Sequence, residues 1–356
     1  MRSHDCERGT PEACATAHCD TIAFMSISRR GLLQGAAAAV VAPLVLRGGE
    51  STTLGSGAHT YEFVPDWGKL PNGVRWGYTH GVAVDSQQRI LIHNRSKDAV
   101  VIFDRDGRFV KSWGEDFEQG AHGMLLSKEG GAEYLYLADP ERHLVAKTTL
   151  DGERLWVLKY PREAAAYERE DQYKPTNVAV APNGDVYIAD GYGLSWIHQY
   201  NAKCEYIRSW GGKGKEAGKL DCPHGIWIDT RGTQPVIVVA DRSNARLQTF
   251  SLDGKHLGFV NDELRRPCHF DQSPSGELLI PDLYGRVTIF DRNNKLITHL
   301  GDNPDVWKTK GWPNLPHEMR LTGRFVSPHA ACWDGQGNVY VVEWISDGRV
   351  TKLRRV

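Results

Sequence analysis

The chain has 356 residues, of which 43 are Lys or Arg and 44 are Asp or Glu, for a formal charge of −1. That balance leaves no electrostatic footprint for nucleic acid or an anionic membrane surface, so the expected partner is a small molecule or a peptide substrate. Eleven Trp, thirteen Tyr and 37 Gly in a chain only 40% hydrophobic suit many short strands joined by turns, and the expected class is all-β.

Residues 26–46, SISRRGLLQGAAAAVVAPLVL, combine a Ser-Arg-Arg-Gly-Leu-Leu start with an Ala-rich apolar stretch free of acidic residues. This is the pattern of a twin-arginine export signal marked by Arg29 and Arg30. The apolar run from Gly31 to Leu46 is shorter than the roughly 20 residues a spanning helix needs, so no stable membrane span is expected in the mature chain. The expected location is periplasmic or extracellular. A route that carries folded proteins suits one that takes up its metal before export. Residues 1–58 are set aside as leader and linker, and 59–356 as the folded domain. Beyond the leader cysteines Cys6, Cys14 and Cys19 stand Cys204, Cys222, Cys268 and Cys332, which allow three disulfide pairings. Cys222 and Cys268 adjoin candidate metal histidines, so each reads either as a buried thiol or as a thiolate ligand.

One phrase then recurs: a His or Asn, a short apolar strand, a turn, and a second apolar strand closing in an acidic residue or Asn. It runs HGVAVDSQQRILIHN from His80, HGMLLSKEGGAEYLYLAD from His122 and NVAVAPNGDVYIAD from Asn177. It returns as HGIWIDTRGTQPVIVVAD from His224, HFDQSPSGELLIPD from His269 and HAACWDGQGNVYVVE from His329. Spacings of 42, 55, 47, 45 and 60 residues are those of a four-stranded blade plus a variable loop, which predicts a six-bladed β-propeller of NHL-repeat type. Third and fourth strands follow in AVVIFDRDGRFVKSWG, RLQTFSLDGKHLGFV and RVTIFDRNNKLITHLG, with Asp-Gly or Asn-Asn at the hairpin. After His329 too little chain remains for a whole blade, whereas Thr60–Leu70 reads as an orphan outer strand. The prediction is that this N-terminal strand completes the sixth blade and closes the ring. Trp113 and Trp210 recur before Gly at the fourth strand, where blade packing explains them.

Equivalent positions at the start of the innermost strands converge on the channel, and five of the six are His. Neutral imidazoles suit zinc and other late first-row ions, and three of them leave a coordination position open. His122, His224 and His329 come from alternate blades and form the predicted site for one divalent transition metal, zinc first. His80, Asn177 and His269 form the other triangle, assigned to substrate hydrogen bonding, with a second metal or simple packing as alternatives. A second tier lies where the second strand of each blade ends: His93, Asn94, Arg95, Asp139, Asp190-Gly191-Tyr192, Asp241-Arg242, Asp282, Tyr284 and Glu343. Of these, Asp139 and Asp190 read as turn caps. Arg95 and Arg242 could clamp a carboxylate, and a phenol such as Tyr192 beside a dication has its pKa lowered towards a useful base. Tyr284 joins the substrate-binding set. The insertion at 302–326 is expected to cover the channel mouth. Its His317 and Glu318 lack the second His that a helical zinc motif requires. Glu163–Asp171 reads as a solvated helix or loop.

The segments PTNVAVAPNGDVYIADGYGLSWIHQY, PHGIWID and VVADRSNARLQTF resemble the peptidyl-α-hydroxyglycine α-amidating lyase family, sharply over about residues 175–250 and more loosely over 60–356. The resemblance implies zinc on His122, His224 and His329, a catalytic Tyr192 and substrate-binding arginines at Arg242 and Arg95. It also implies cleavage of a carbinolamide C–N bond to an amide and glyoxylate. Ser327 and Ala330 depart from the family's Met and acidic residue, and the latter weighs against a structural calcium. Gly193-Leu194-Ser195-Trp196 departs from Cys-Asn-Ser-Arg, and His80 and His269 are additional. The expected function is a metal-dependent lyase acting on a C–N or C–O bond. A lactonase-like metal-dependent hydrolase and a non-catalytic NHL binding propeller are the alternatives. No oligomer is predicted.

Overall fold

A computed structural model describes residues 52–356; the twin-arginine segment and Cys6, Cys14 and Cys19 lie outside them. The chain opens with a hairpin, β1 (Thr53–Ser56) and β2 (His59–Val64). Blade one is β3 (Thr79–Val84), β4 (Ile90–Asn94), β5 (Val100–Phe103) and β6 (Phe109–Trp113). Blade two is β7 (Met124–Glu129), β8 (Ala132–Asp139), β9 (Leu144–Thr149) and β10 (Arg154–Leu158), and blade three is β11 (Asn177–Val180), β12 (Val186–Ala189), β13 (Trp196–Tyr200) and β14 (Tyr206–Gly211). Blade four is β15 (Pro223–Asp229), β16 (Val236–Asp241), β17 (Arg246–Phe250) and β18 (His256–Val260). Blade five is β19 (Asp271–Gln272), β20 (Leu278–Asp282), β21 (Arg286–Phe290) and β22 (Leu296–Leu300). The last blade holds β23 (Pro328–Trp333), β24 (Val339–Glu343) and β25 (Arg349–Arg355). Every sheet is an antiparallel meander, and together the six make a six-bladed β-propeller.

The pattern of apolar residues explains the stacking. A middle strand such as β4 is buried along its whole length because blades pack on both its faces, whereas the outer β6 only half buries its residues. Six apolar clusters each span two neighbouring blades. One joins Leu91 and Ile102 to Leu135 and Ala146 across blades one and two, and another joins Ile92 and Phe103 to Val342 and Tyr340 across blades one and six. The ring is therefore closed. Trp113 and Trp210 pack across these gaps onto Gly152 and Gly254, each in a hairpin with positive φ, where a Cβ would fall 2.8 and 2.7 Å from the indole.

Closure is made by β2, which pairs with β25 from Tyr61 opposite Arg355 to Val64 opposite Lys352. The strand ends at Val64 rather than Leu70. Beyond it Trp67 packs on Phe103 and Tyr340 at the junction of blades one and six. The structure also adds β1 as a fifth strand, paired with β2 from Thr53 opposite Glu62 to Ser56 opposite His59. Among the described residues no helix is long and apolar enough to cross a membrane.

The acidic residue or Asn that ends each second strand positions the start of the inner strand. In five blades its side chain accepts a backbone N–H three residues before the inner-strand His or Asn. Asn94 accepts from Gly77 at 3.0 Å, Asp190 from Lys174 at 2.6 Å, Asp241 from Asp221 at 2.6 Å and Glu343 from Val326 at 2.6 Å. Asp282 does the same for Arg266 and also accepts from Arg265 at 2.8 Å. Asp139 instead caps its own turn through Glu141 and Arg142. These groups are structural ties.

Asp190 carries more. Its carboxylate also accepts from Leu194 N at 2.7 Å and from the Tyr167 hydroxyl at 2.7 Å, holding the turn that bears Tyr192. Tyr167, in the 163–171 insertion, is buried, which corrects the reading of that segment as solvated: its flanks are exposed and its tyrosine is core. Behind it lies His198, 2.7 Å from the Tyr167 hydroxyl and 2.6 Å from Ser209 Oγ. Burial holds His198 at about 3, and His93 and His269 at about 4.

Two outcomes follow from this packing. Tyr61 is fully buried between blades five and six and its hydroxyl accepts from Trp333 Nε1 at 3.1 Å. Tyr61→Ala is expected to cost about 3–5 kcal/mol in urea unfolding, and Tyr61→Phe about 1–3 kcal/mol through the stranded indole N–H. The metal-free protein should also lose stability as the pH falls from about 6.5 towards 4. There the unfolded chain protonates histidines that the fold keeps neutral, at up to about 1.4 kcal/mol per group per pH unit. Asp190 and Asp271, raised by burial to about 7 and about 6, oppose the trend but are outnumbered by the lowered histidines. A urea midpoint that rose over this range would contradict the burial of neutral imidazoles.

Candidate metal centre

Inner-strand geometry brings four histidines together on the channel axis. His122, His224 and His329 have ring centroids 4.8, 4.9 and 4.7 Å apart, taken as His122–His224, His122–His329 and His224–His329. His80 joins them, 4.8 Å from His122 and 4.6 Å from His329. One ligand atom from each of His80, His122 and His329 lies within 4.8 Å of the others. All four side chains are buried.

Hydrogen bonds aim each ring. Nδ1 of His122 meets Thr176 O at 2.7 Å, that of His224 meets Cys268 O at 2.9 Å, and that of His329 meets His80 O at 2.7 Å. His80 Nδ1 meets Tyr78 O at 3.0 Å. A carbonyl oxygen can only accept, so every Nδ1 carries the proton and every Nε2 presents a lone pair. Burial, reinforced by neighbouring imidazoles and guanidiniums, holds His80, His122 and His224 well below the ordinary imidazole value and His329 at about 3. The rings are neutral.

The Tyr192 hydroxyl stands 2.9 Å from Nε2 of both His122 and His224, with one proton for two acceptors. The Nε2 atoms of His80 and His329 are buried without a partner. Each unsatisfied buried acceptor costs about 1–3 kcal/mol. Ligand atoms of His80, His122 and His329 that meet without enough donors, with the His224 ring against them, fit a cation, and imidazole donors fit a divalent transition metal.

The remaining predicted residues divide. Arg242, fully buried, places its guanidinium over the Tyr192 ring at 5.3 Å and donates from Nη1 to the hydroxyl at 3.4 Å. Arg95 donates from Nε to Ala121 O at 3.3 Å, and its Nη2 is buried without a partner. Asn177 turns its side-chain oxygen onto the N–H of Val178 at 2.8 Å, because it starts a regular four-residue strand. His269 is displaced along the channel. It hydrogen-bonds the Met124 backbone and faces a cavity of about 130 Å³ lined also by Trp227, Asp271 and Cys332. Two residues on, Asp271 accepts from the N–H of Trp333 at 2.7 Å, and β19 has only two residues. Sixfold symmetry thus groups His80 with Asn177 and His269, whereas the structure groups it with the metal-facing histidines.

Tyr284 lies farther out on the rim, stacked on Trp307 at 4.5 Å and beneath Arg266 at 5.3 Å. The 302–326 insertion is pinned to blades five, six and one by this stack, by Trp312 against Trp344 and by Asn314 on the Tyr78 hydroxyl. His317 is exposed and pairs with Asp347 at 3.2 Å. Burial raises the Cys268 thiol to about 11, so it stays protonated, and Cys204, Cys268 and Cys332 are free thiols. Sequence reasoning missed Arg266, whose guanidinium reaches Tyr284 Oη and Ser243 Oγ, both at 3.3 Å. Its position three residues before His269 was the available signal.

No protein-family model matches the chain. It is 27% identical over 233 residues to the human NHL repeat-containing protein 3, covering 62% of this chain and 64% of that one. It is 26% identical over 219 residues to a probable peptidyl-alpha-hydroxyglycine alpha-amidating lyase of Caenorhabditis elegans, covering 61% and 57%. Both alignments span less than two thirds of the relative's own length. A Xanthomonas campestris gluconolactonase superposes with a TM-score of 0.56 at 14% identity, covering 87% of this chain and 99% of that one, which is a likeness of fold. The chain is thus a six-bladed propeller that resembles NHL-repeat proteins and amidating lyases.

Proposed function

We propose that this protein is a metal-dependent lyase that cleaves a carbinolamide-type C–N bond, or a C–O bond, in a small or peptide-derived substrate. Export through the Arg29-Arg30 segment belongs to the same proposal. The observation that carries it is the Tyr192 hydroxyl set 2.9 Å from two ring nitrogens of a histidine cluster, under a buried arginine. A base, a cation and a metal-fitting donor set therefore share one point.

His122, His224 and His329, with His80 beside them, would hold the ion. When bound, it supplies Lewis acidity that polarises a substrate oxygen. Ionised beside the bound dication, Tyr192 would accept the proton of the substrate hydroxyl as the C=O bond forms. The C–N bond breaks, its electrons pass to nitrogen, and nitrogen takes that proton back from Tyr192 to leave as the amide, which restores the phenolate. Arg95 and Arg242 hold the carboxylate of the departing α-keto acid in a water-poor, buried setting, where such contacts are strongest. The ties from Asn94, Asp190 and Asp241 keep these three side chains on one rim.

Elemental analysis of protein purified without added metal is expected to find about one divalent transition ion per chain, strongly reduced in His122→Ala and His329→Ala, as ligands of a single site require. Metal-free protein that folds and cannot be loaded would leave a binding propeller. The loaded enzyme should release glyoxylate from N-acyl-α-hydroxyglycines. In Tyr192→Phe, kcat should fall by roughly 10²–10⁴-fold with metal content unchanged. Hydrolysis of lactones without glyoxylate release would move the assignment to a hydrolase.

A further inference from the structure

We infer that His80 is a ligand, so that the ring holds its ion with four imidazoles. This rests on the reading that the ring holds a metal. In a six-bladed ring, blades one and four stand opposite each other, which sets His80 across the axis from His224, with His122 and His329 on the blades flanking His80. Its Nδ1 is spent on Tyr78 O, and its Nε2 is buried without a partner, as is that of His329. One ligand atom each from His80, His122 and His329 lies within 4.8 Å of the other two, closing a second triangle that shares an edge with the His122–His224–His329 set.

The count of ligands decides the chemistry. Four protein ligands complete a tetrahedral zinc ion and leave no place for substrate. An ion that accepts five or six nitrogen and oxygen ligands, such as iron(II), nickel(II) or copper(II), keeps one or two positions open beside the same four imidazoles. No carboxylate stands among the four donors, so the dication keeps its full charge, and with Arg95 and Arg242 beside it the open position favours an anionic oxygen. The structure therefore assigns this ring to an ion of higher coordination number than zinc prefers, with a carboxylate or alkoxide oxygen of the substrate completing the shell.

X-ray absorption at the metal edge of the full-length wild-type protein, loaded as purified or with iron(II), reads the ligand count without any variant. Five or six nitrogen and oxygen neighbours, four of them imidazoles, are expected. A shell containing only three imidazoles overturns the inference while leaving a metal-holding ring intact, and protein that binds no ion overturns both readings. His80→Ala should weaken the ion by about tenfold or more in chelator competition, with partial restoration by added imidazole. Unchanged affinity in a folded His80→Ala protein likewise removes His80 from the shell.

Discussion

The site depends on one hydrogen bond repeated around the ring: an imidazole Nδ1–H on one blade given to a carbonyl at the inner-strand start of the next. His122 gives it to Thr176 across blades two and three, His224 to Cys268 across four and five, and His329 to His80 across six and one. The same bond fixes the tautomer, turns Nε2 to the axis and registers neighbouring blades. The geometry of the histidine cluster is consequently the blade geometry. Whatever keeps the ring round, including the β2 strand that closes the last blade, keeps the lone pairs converging.

A second constraint works within five of the six blades, blade two excepted. The side chain ending the second strand pulls on the N–H three residues ahead of the inner-strand histidine, and so sets where that histidine emerges. Arg95 and Arg242 follow their ties by one residue and Tyr192 follows Asp190 by two. That is how Arg95, Tyr192 and Arg242 come to share a rim although they belong to three blades. Asn94, Asp190 and Asp241 do the holding, and the residues proposed to meet the substrate follow them. Asp190 combines the tie with the Tyr167 hydroxyl and the turn at Leu194, so the blade that carries the proposed base is anchored at three points.

The fold was legible because repetition survives divergence: a strand–turn–strand phrase returning every 42 to 60 residues buries its apolar faces by stacking on copies of itself. The alternating histidines were legible for the same reason, since equivalent positions in a ring must converge. Symmetry failed where a blade is irregular. In blade five the inner strand has two residues, Asp271 accepts from Trp333, and His269 turns to the Met124 backbone and a cavity of the channel; nothing in HFDQSPSGELL announces contacts so distant along the chain. Tyr167 was hidden in a charged insertion for a related reason: burial of a single aromatic depends on the cavity it meets, which composition does not encode.

His80 is the informative exception. The other three ring histidines are steered by the next blade, but His80 gives its Nδ1–H to Tyr78, two residues back along its own blade. It is also the acceptor that steers His329, through its carbonyl. Its backbone is therefore committed to the ring while its imidazole is oriented locally, independent of how blades one and two sit against each other. Three imidazoles are thus oriented by the neighbouring blade and the fourth by its own, so the proposed His80 ligand takes its direction from blade one alone.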